Sequence, residues 1–243
     1  MRNLNNVPKI ILESKGIGHA IDFKWNKKKI NELLDPFEKN EDLENLLIQI
    51  NHKASIGLTA ALLEWVYWRF TGYTKVTNDT QKRIEALWCS VESPEQTKPL
   101  LFDTDFEIPA SGSVNGPLWI AHMNVRMIDS LYRKGSYYLQ NELIGLVLLA
   151  RHITPKKKVF DQWFNHIIVD LICLYPCEYQ NADSEEMDEA IYDSSNEPLI
   201  CRDFFFDSEF KASNEASENA IHGFIDNLNY QANPFLNLSR IHS

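Results

Sequence analysis

Glycine is scarce in this chain, with 9 among 243 residues. Barrels, propellers and phosphate-cradling loops need glycine at tight turns and close backbone approaches, so its scarcity disfavours all three. Helices joined by short connections have no such need. Long apolar runs are missing too. The longest, 56–66 and 143–150, fall short of the ~20 residues a membrane-crossing helix requires. The stretch from Met1 to Pro8 is polar and Asn-rich, with no apolar run behind a basic start. No secretory signal is expected from it. Cysteine is limited to Cys89, Cys173, Cys177 and Cys201, in a chain larger than disulfide-dense scaffolds. Together these absences predict a protein of the reduced cytoplasm with no membrane span.

Catalytic signatures are missing as well. The segment Ser111 to Pro117 (SGSVNGP) looks like a glycine-rich loop but lacks the G-x-x-x-x-G-K-[ST] pattern of a phosphate loop and the G-x-S-x-G of a nucleophile elbow. It reads as a connection with Asn115 as a helix cap. Neither H-E-x-x-H nor E-x-x-H occurs, which leaves out the zinc-protease helix and the di-iron bundle signature. The pairs His166/Asp170 and Glu218/His222 have i,i+4 spacing, yet zinc needs three or four converging ligands. Asp103, Asp105 and Glu107 alternate on a short stretch without the nucleotide-binding context that would give such acids a metal. Cys173 and Cys177 lack a partner pair. No cofactor, metal or catalytic residue is therefore expected.

What the chain does have is apolar mass. Apolar residues make up 44% and aromatics 12%, enough for a sizeable core. Their spacing is helical. Residues 41–71 read as one long helix or two end to end. Leu43, Leu46, Leu47 and Ile50 mark its first apolar face, and Gly72 is its stop. Asn78 or Asp79 is expected to cap the next helix, which ends before Pro94. The Pro/Gly-rich residues 93–117 are the expected boundary between helical layers. Helical spacing resumes over 118–132, 137–152, 159–174 and 215–228. Before all of these, Lys24 and Lys27 to Lys29 surround Trp25 ahead of a short helix limited by Pro36, a charge run that reads as a solvated face. The expected fold is all-α, a single domain over 1–243 built as an antiparallel multi-helix bundle or array. An extended acidic C-terminal arm is expected over 178–210, with a short strand in it.

Charge is distributed unevenly. Between Glu178 and Glu215 twelve acids face only Arg202 and Lys211, a net of −10 that equals the charge of the whole chain. The remainder is neutral. One segment thus holds the entire imbalance, which favours a basic partner and argues against nucleic acid as a direct ligand. Its candidate partner-binding residues are Asp183, Glu185, Glu186, Asp188, Glu189, Asp193 and Glu197. Within it Leu199, Ile200, Phe204, Phe205, Phe206 and Phe210 form an apolar insert expected to pin the arm to the body, since burying one phenylalanine contributes ~1.5–3 kcal/mol.

The other concentrated feature is Glu64, Trp65, Trp68 and Arg69. At i,i+4 spacing Glu64 meets Trp68, and Trp65 meets Arg69. They form either an aromatic pocket with polar anchors or core aromatics with a buried ion pair. An enzyme reading would add His122 and Arg126 to Glu64 and Arg69. A helical scaffold or adaptor is the third alternative.

Three runs carry a resemblance: Ala61 to Arg69 (ALLEWVYWR), Glu197 to Asp207 (EPLICRDFFFD) and Asn233 to Leu236 (NPFL). They resemble parts of uncharacterised bacterial immunity-type proteins. The resemblance implies a cytoplasmic, non-catalytic antagonist that neutralises one cognate toxin, here through the acidic surface.

Overall fold

The protein is described here from a computed structural model covering residues 6–36, 39–102, 110–179 and 191–237. The described residues form ten α-helices: α1 (Lys9–Glu13), α2 (Lys27–Leu34), α3 (Glu41–Leu47), α4 (His52–Phe70), α5 (Thr77–Glu92), α6 (Asn115–Arg133), α7 (Leu143–Ile153), α8 (Lys157–Leu174), α9 (Arg202–Phe206) and α10 (Asn214–Ile225). The fold is all-α, as the spacing predicts. The described residues include no named strand, only isolated bridges from Ile50 to Pro176 and from Thr97 to Leu236. No described helix is long and apolar enough to cross a membrane.

The organising element is α4. Its residues are apolar on every side, and such a helix must be surrounded. Only Tyr67 in it escapes burial. Helices α5, α6 and α7 pack around it, with α9 against one face. Because α4 touches helices on both sides of the 93–117 connection, that connection does not divide the core. One apolar cluster runs from Ile11 to Leu236.

Local chemistry sets the boundaries. Residues 41–71 form two helices, because the Asn51 side chain accepts the Ala54 amide at 2.9 Å and starts α4 afresh. The cap expected at Asn78 or Asp79 is not made: α5 begins at Thr77 with no side-chain cap. Asp79 instead accepts from the buried Arg83 guanidinium at 2.7 Å. Nor does Asn115 cap α6, which starts at Asn115 itself. The expected 137–152 helix is shorter: a 3₁₀ turn over Leu139–Glu142 leads into α7.

The acidic arm is pinned by its apolar insert, which forms the one-and-a-half turns of α9 and not a strand. Phe205 is buried near Trp88, with ring centroids 5.8 Å apart. Phe206 stacks on Trp163 at 6.0 Å, and the Trp163 indole donates to the Phe205 carbonyl at 2.8 Å. Gly57 of α4 admits this packing, since a β-carbon there would lie 2.8 Å from Ile200.

Candidate functional site

One described acid of the arm, Glu197, reaches the N-terminal end of α4. A helix start leaves backbone amides without intrahelical partners and carries partial positive charge. Here three such amides are satisfied in a defined way. Asn51 takes the amide of Ala54. Glu197 takes the other two, through Oε1 from His52 at 3.1 Å and Oε2 from Lys53 at 2.7 Å. The Tyr192 hydroxyl donates to the same Oε1 at 2.9 Å. The Lys53 ammonium donates to the Ser195 carbonyl at 3.2 Å. A carboxylate 145 residues downstream of His52 therefore plugs the helix end.

Behind Glu197 lies an aromatic cluster centred on the fully buried His52. Its Nε2 is 2.9 Å from the Ser136 carbonyl and 3.0 Å from the Tyr179 hydroxyl. Its Nδ1 is buried without a hydrogen-bond partner among the described residues. Tyr192 meets the imidazole edge-on at 4.6 Å, and the Tyr179 and Tyr192 rings lie 4.6 Å apart. Gln140 donates to the Tyr179 hydroxyl at 2.7 Å and to the Ile50 carbonyl at 2.9 Å. Tyr179 and Tyr192 flank residues 180–190, so the chain enters and leaves that stretch at one fixed place.

Gly135 fixes this base from the other side. Its φ is +62°, its carbonyl accepts the Tyr192 amide at 2.9 Å, and an added β-carbon would collide with the Tyr192 backbone. Gly135→Ala combines left-handed strain with a backbone clash and is expected to cost about 2–4 kcal/mol. Urea unfolding measures this. A loss below ~0.5 kcal/mol, the scatter of ordinary surface changes, would contradict the described seat of the arm.

Burial dominates the electrostatics. It holds the His52 imidazole well below the ordinary histidine value, at about 4, against the opposing Ser136 carbonyl. Burial also raises the Glu197 carboxyl, outweighing its backbone donors, Tyr192 and Lys53. It lowers the Lys53 ammonium, which Glu197, Glu92 and Asp193 counteract. Asp193 is exposed, and the backbone amide of Ser195 lowers its carboxyl.

These shifts have signs that can be tested. An unfolded histidine takes up its proton near pH 6.5, whereas folded His52 does so only near 4. Its contribution is intact above that range and is lost as pH falls through it, by about 3 kcal/mol in all. His122, held down by burial and by Arg83, acts in the same direction. Glu197 acts in the opposite one. His52→Gln is expected to flatten the acid loss of stability by up to about 1.4 kcal/mol per pH unit, read from urea unfolding at a series of pH values. An unchanged slope would mean that the imidazole is not buried neutral.

The sequence-predicted residues fall into separate places. Asp183, Glu185, Glu186, Asp188 and Glu189 lie outside the described residues, as do Asp103, Asp105 and Glu107. Asp193 is on the surface, but Glu197 is turned inward onto α4, so it anchors the arm and is not free to meet a partner. Glu64, Trp65, Trp68 and Arg69 are all buried and form no open pocket. Glu64 pairs with Arg202 of α9. Arg69 points elsewhere and donates to the carbonyls of Gly16, His19, Ala20 and Ile153. His122 is buried 2.9 Å from the Thr80 hydroxyl, and Arg126 donates to the Phe102 carbonyl at 3.2 Å. The four groups of the enzyme reading are thus committed to separate contacts.

The i,i+4 pairs fare differently. His166 does meet Asp170, at 3.4 Å on the surface, whereas His222 meets Glu92 rather than Glu218. Neither Cys173, which is exposed, nor Cys177, which is buried, is in a disulfide among the described residues. No three His, Cys, Asp or Glu side chains among the described residues are grouped to hold a metal ion.

The arrangement defines an all-α protein whose acidic segment is seated on a helix terminus by a carboxylate and two tyrosines. No protein-family model, curated protein or solved structure matches the chain.

Proposed function

We propose that this is a non-catalytic binding protein of the immunity type, which neutralises a basic partner such as a toxin through its acidic segment. One observation carries the reading. The segment that holds the chain's entire net charge is seated at Tyr179, Tyr192 and Glu197 on the end of the central helix. The described chain on either side of residues 180–190 is therefore held at a fixed base. Such a concentration of one sign steers an oppositely charged partner and raises its rate of encounter. The engagement of Glu64, Arg69, His122 and Arg126 in structural contacts supports a binding role over a catalytic one. The reading places the protein in the cytoplasm beside its partner and leaves nucleic acid and membrane out of direct contact.

The experiment is capture of the partner from the native cell on wild-type protein and on a variant with Asp183, Glu185, Glu186 and Asp188 changed to lysine. The wild type is expected to retain a basic protein whose activity it inhibits, and the variant is expected to lose it. Retention by both, or an acidic partner, would overturn the reading.

A further inference from the structure

We infer that the basic partner seats an apolar patch of its own on a ring of exposed apolar side chains at the foot of the acidic segment. The inference rests on the reading of the protein as one that binds a basic partner, and it names the surface that holds that partner once charge has steered it in. The ends of several elements meet beside the start of α4. Helix α3 packs against both α8 and the 3₁₀ turn at Leu139–Glu142. The Cys177 amide donates to the Gln49 carbonyl at 2.8 Å, and Pro176 bridges to Ile50. Gln140 joins the Ile50 carbonyl to the Tyr179 hydroxyl. The Tyr137 ring lies 4.8 Å from that of Tyr179 and 5.6 Å from that of Tyr192. These contacts bring four residues to one end of the molecule: Ile48 after α3, Tyr138 before the 3₁₀ turn, Leu174 at the end of α8, and Ile191. All four are exposed, Ile191 at 79%. Single apolar residues scattered over a surface need no explanation, whereas several at one place, rimmed by polar groups, mark a protein contact.

Charge says what covers them. Residues 178–193 hold seven acids and no lysine or arginine. The acids at the two described ends of that stretch, Glu178 and Asp193, are exposed. Lys134, next to Gly135, is exposed at this end too, and the acids of the stretch outnumber it. A second copy of this chain would set one negative segment against another, which disfavours self-association across this face. A basic protein meets the opposite charge at the rim and an apolar surface at the centre. Interfaces divide their work in that way, with a polar rim around a centre that carries most of the binding energy. Tyr138 supplies an aromatic of the kind that concentrates such energy.

The test uses the full chain, labelled with ¹⁵N, and three blocked peptides as probes. The first is Lys-Leu-Leu-Lys-Leu-Leu-Lys. The second replaces each leucine with serine and keeps the charge. The third replaces each lysine with glutamate and keeps the leucines. Saturable amide shifts are expected at Ile48, Tyr138, Leu174 and Ile191 with the first. Affinity is expected to fall about tenfold or more with the second and with the third, and likewise for the first peptide on the variant L174S/I191S. Equal affinity for the first and second peptides, or for the first and third, overturns the inference even where the variant fails to fold. So does equal binding by the variant, or a set of shifts that avoids the ring. A concentration-dependent dimer of the protein alone, with shifts at the same four residues, assigns the ring to a second copy and overturns it as well. Partner capture separates the two ideas. If L174S/I191S captures the partner as the wild type does while the lysine reversal at 183–188 loses it, the function stands and the apolar seat falls. If the reversal captures normally while L174S/I191S loses the partner, the acidic-segment reading falls and the ring stands as the contact surface.

Discussion

Arg202→Met is expected to destabilise the protein by about 3–5 kcal/mol, and adding Glu64→Leu to the same chain is expected to recover most of that loss. The Arg202 guanidinium grips Glu64 with two bonds, Nε to Oε1 and Nη2 to Oε2, both 2.8 Å. Both side chains are buried, at 6% and 0% exposure. Burial works against the Arg202 charge, and the Glu64 carboxylate more than offsets it, so the guanidinium holds its proton more tightly than usual. Without Arg202, Glu64 keeps only the Trp88 indole at 3.3 Å among the described residues, and its charge is stranded in the core. An apolar pair of similar volume leaves no such charge. In a chain of this size each kcal/mol moves the melting temperature by about 2–4 °C, so the single variant should melt roughly 6–20 °C lower. Thermal and urea unfolding of the singles and the double complete the cycle. Singles within ~1 kcal/mol of wild type would mean that α9 is not docked as described, and with it the rest of the arm.

The second large effect is on recognition. Changing Asp183, Glu185, Glu186 and Asp188 to lysine removes most of the charge asymmetry while sparing Glu197, Tyr179 and Tyr192. Affinity for the basic partner is expected to fall by about 10–1,000-fold at low salt, the range over which electrostatic steering alters association. Most of the change should appear in the association rate. Helix content and melting temperature should barely move. A variant that binds as tightly as wild type, measured by surface plasmon resonance or calorimetry, would remove the segment from the interface.

The two effects separate what the sequence reveals from what it hides. Helical spacing announces α4, and an apolar stretch on all sides implies a helix that must be enclosed. The phenylalanines at 204–206 announce a docked insert, because free aromatics are costly in water. Composition alone does not tell which acids are structural. Glu197 looks like its neighbours at 183–193, yet it serves a helix end 145 residues away. Asn51, ahead of an apolar helix, is the available local hint that an N-terminus lies there. Arg202 carries a weaker hint, as one of two cations in an acidic segment, but the sequence does not name Glu64 as its partner. Glu64 and Arg69 mislead in the opposite way. They stand close in sequence, but five residues apart on a helix they lie on different faces, and tertiary packing decides which neighbours their long side chains reach.

The association rate constant of the wild-type protein with its captured partner, followed by stopped flow across ionic strength, tests recognition through the acidic segment most directly. Screening shortens from ~10 Å at 0.1 M salt to ~3 Å at 1 M. A rate that drops by about tenfold or more over that range, and no longer drops once residues 183–188 are reversed, is the expected result. A wild-type rate indifferent to salt, or a reversed protein whose rate drops as steeply as the wild type's, would show that something other than this concentration of charge brings the partner in.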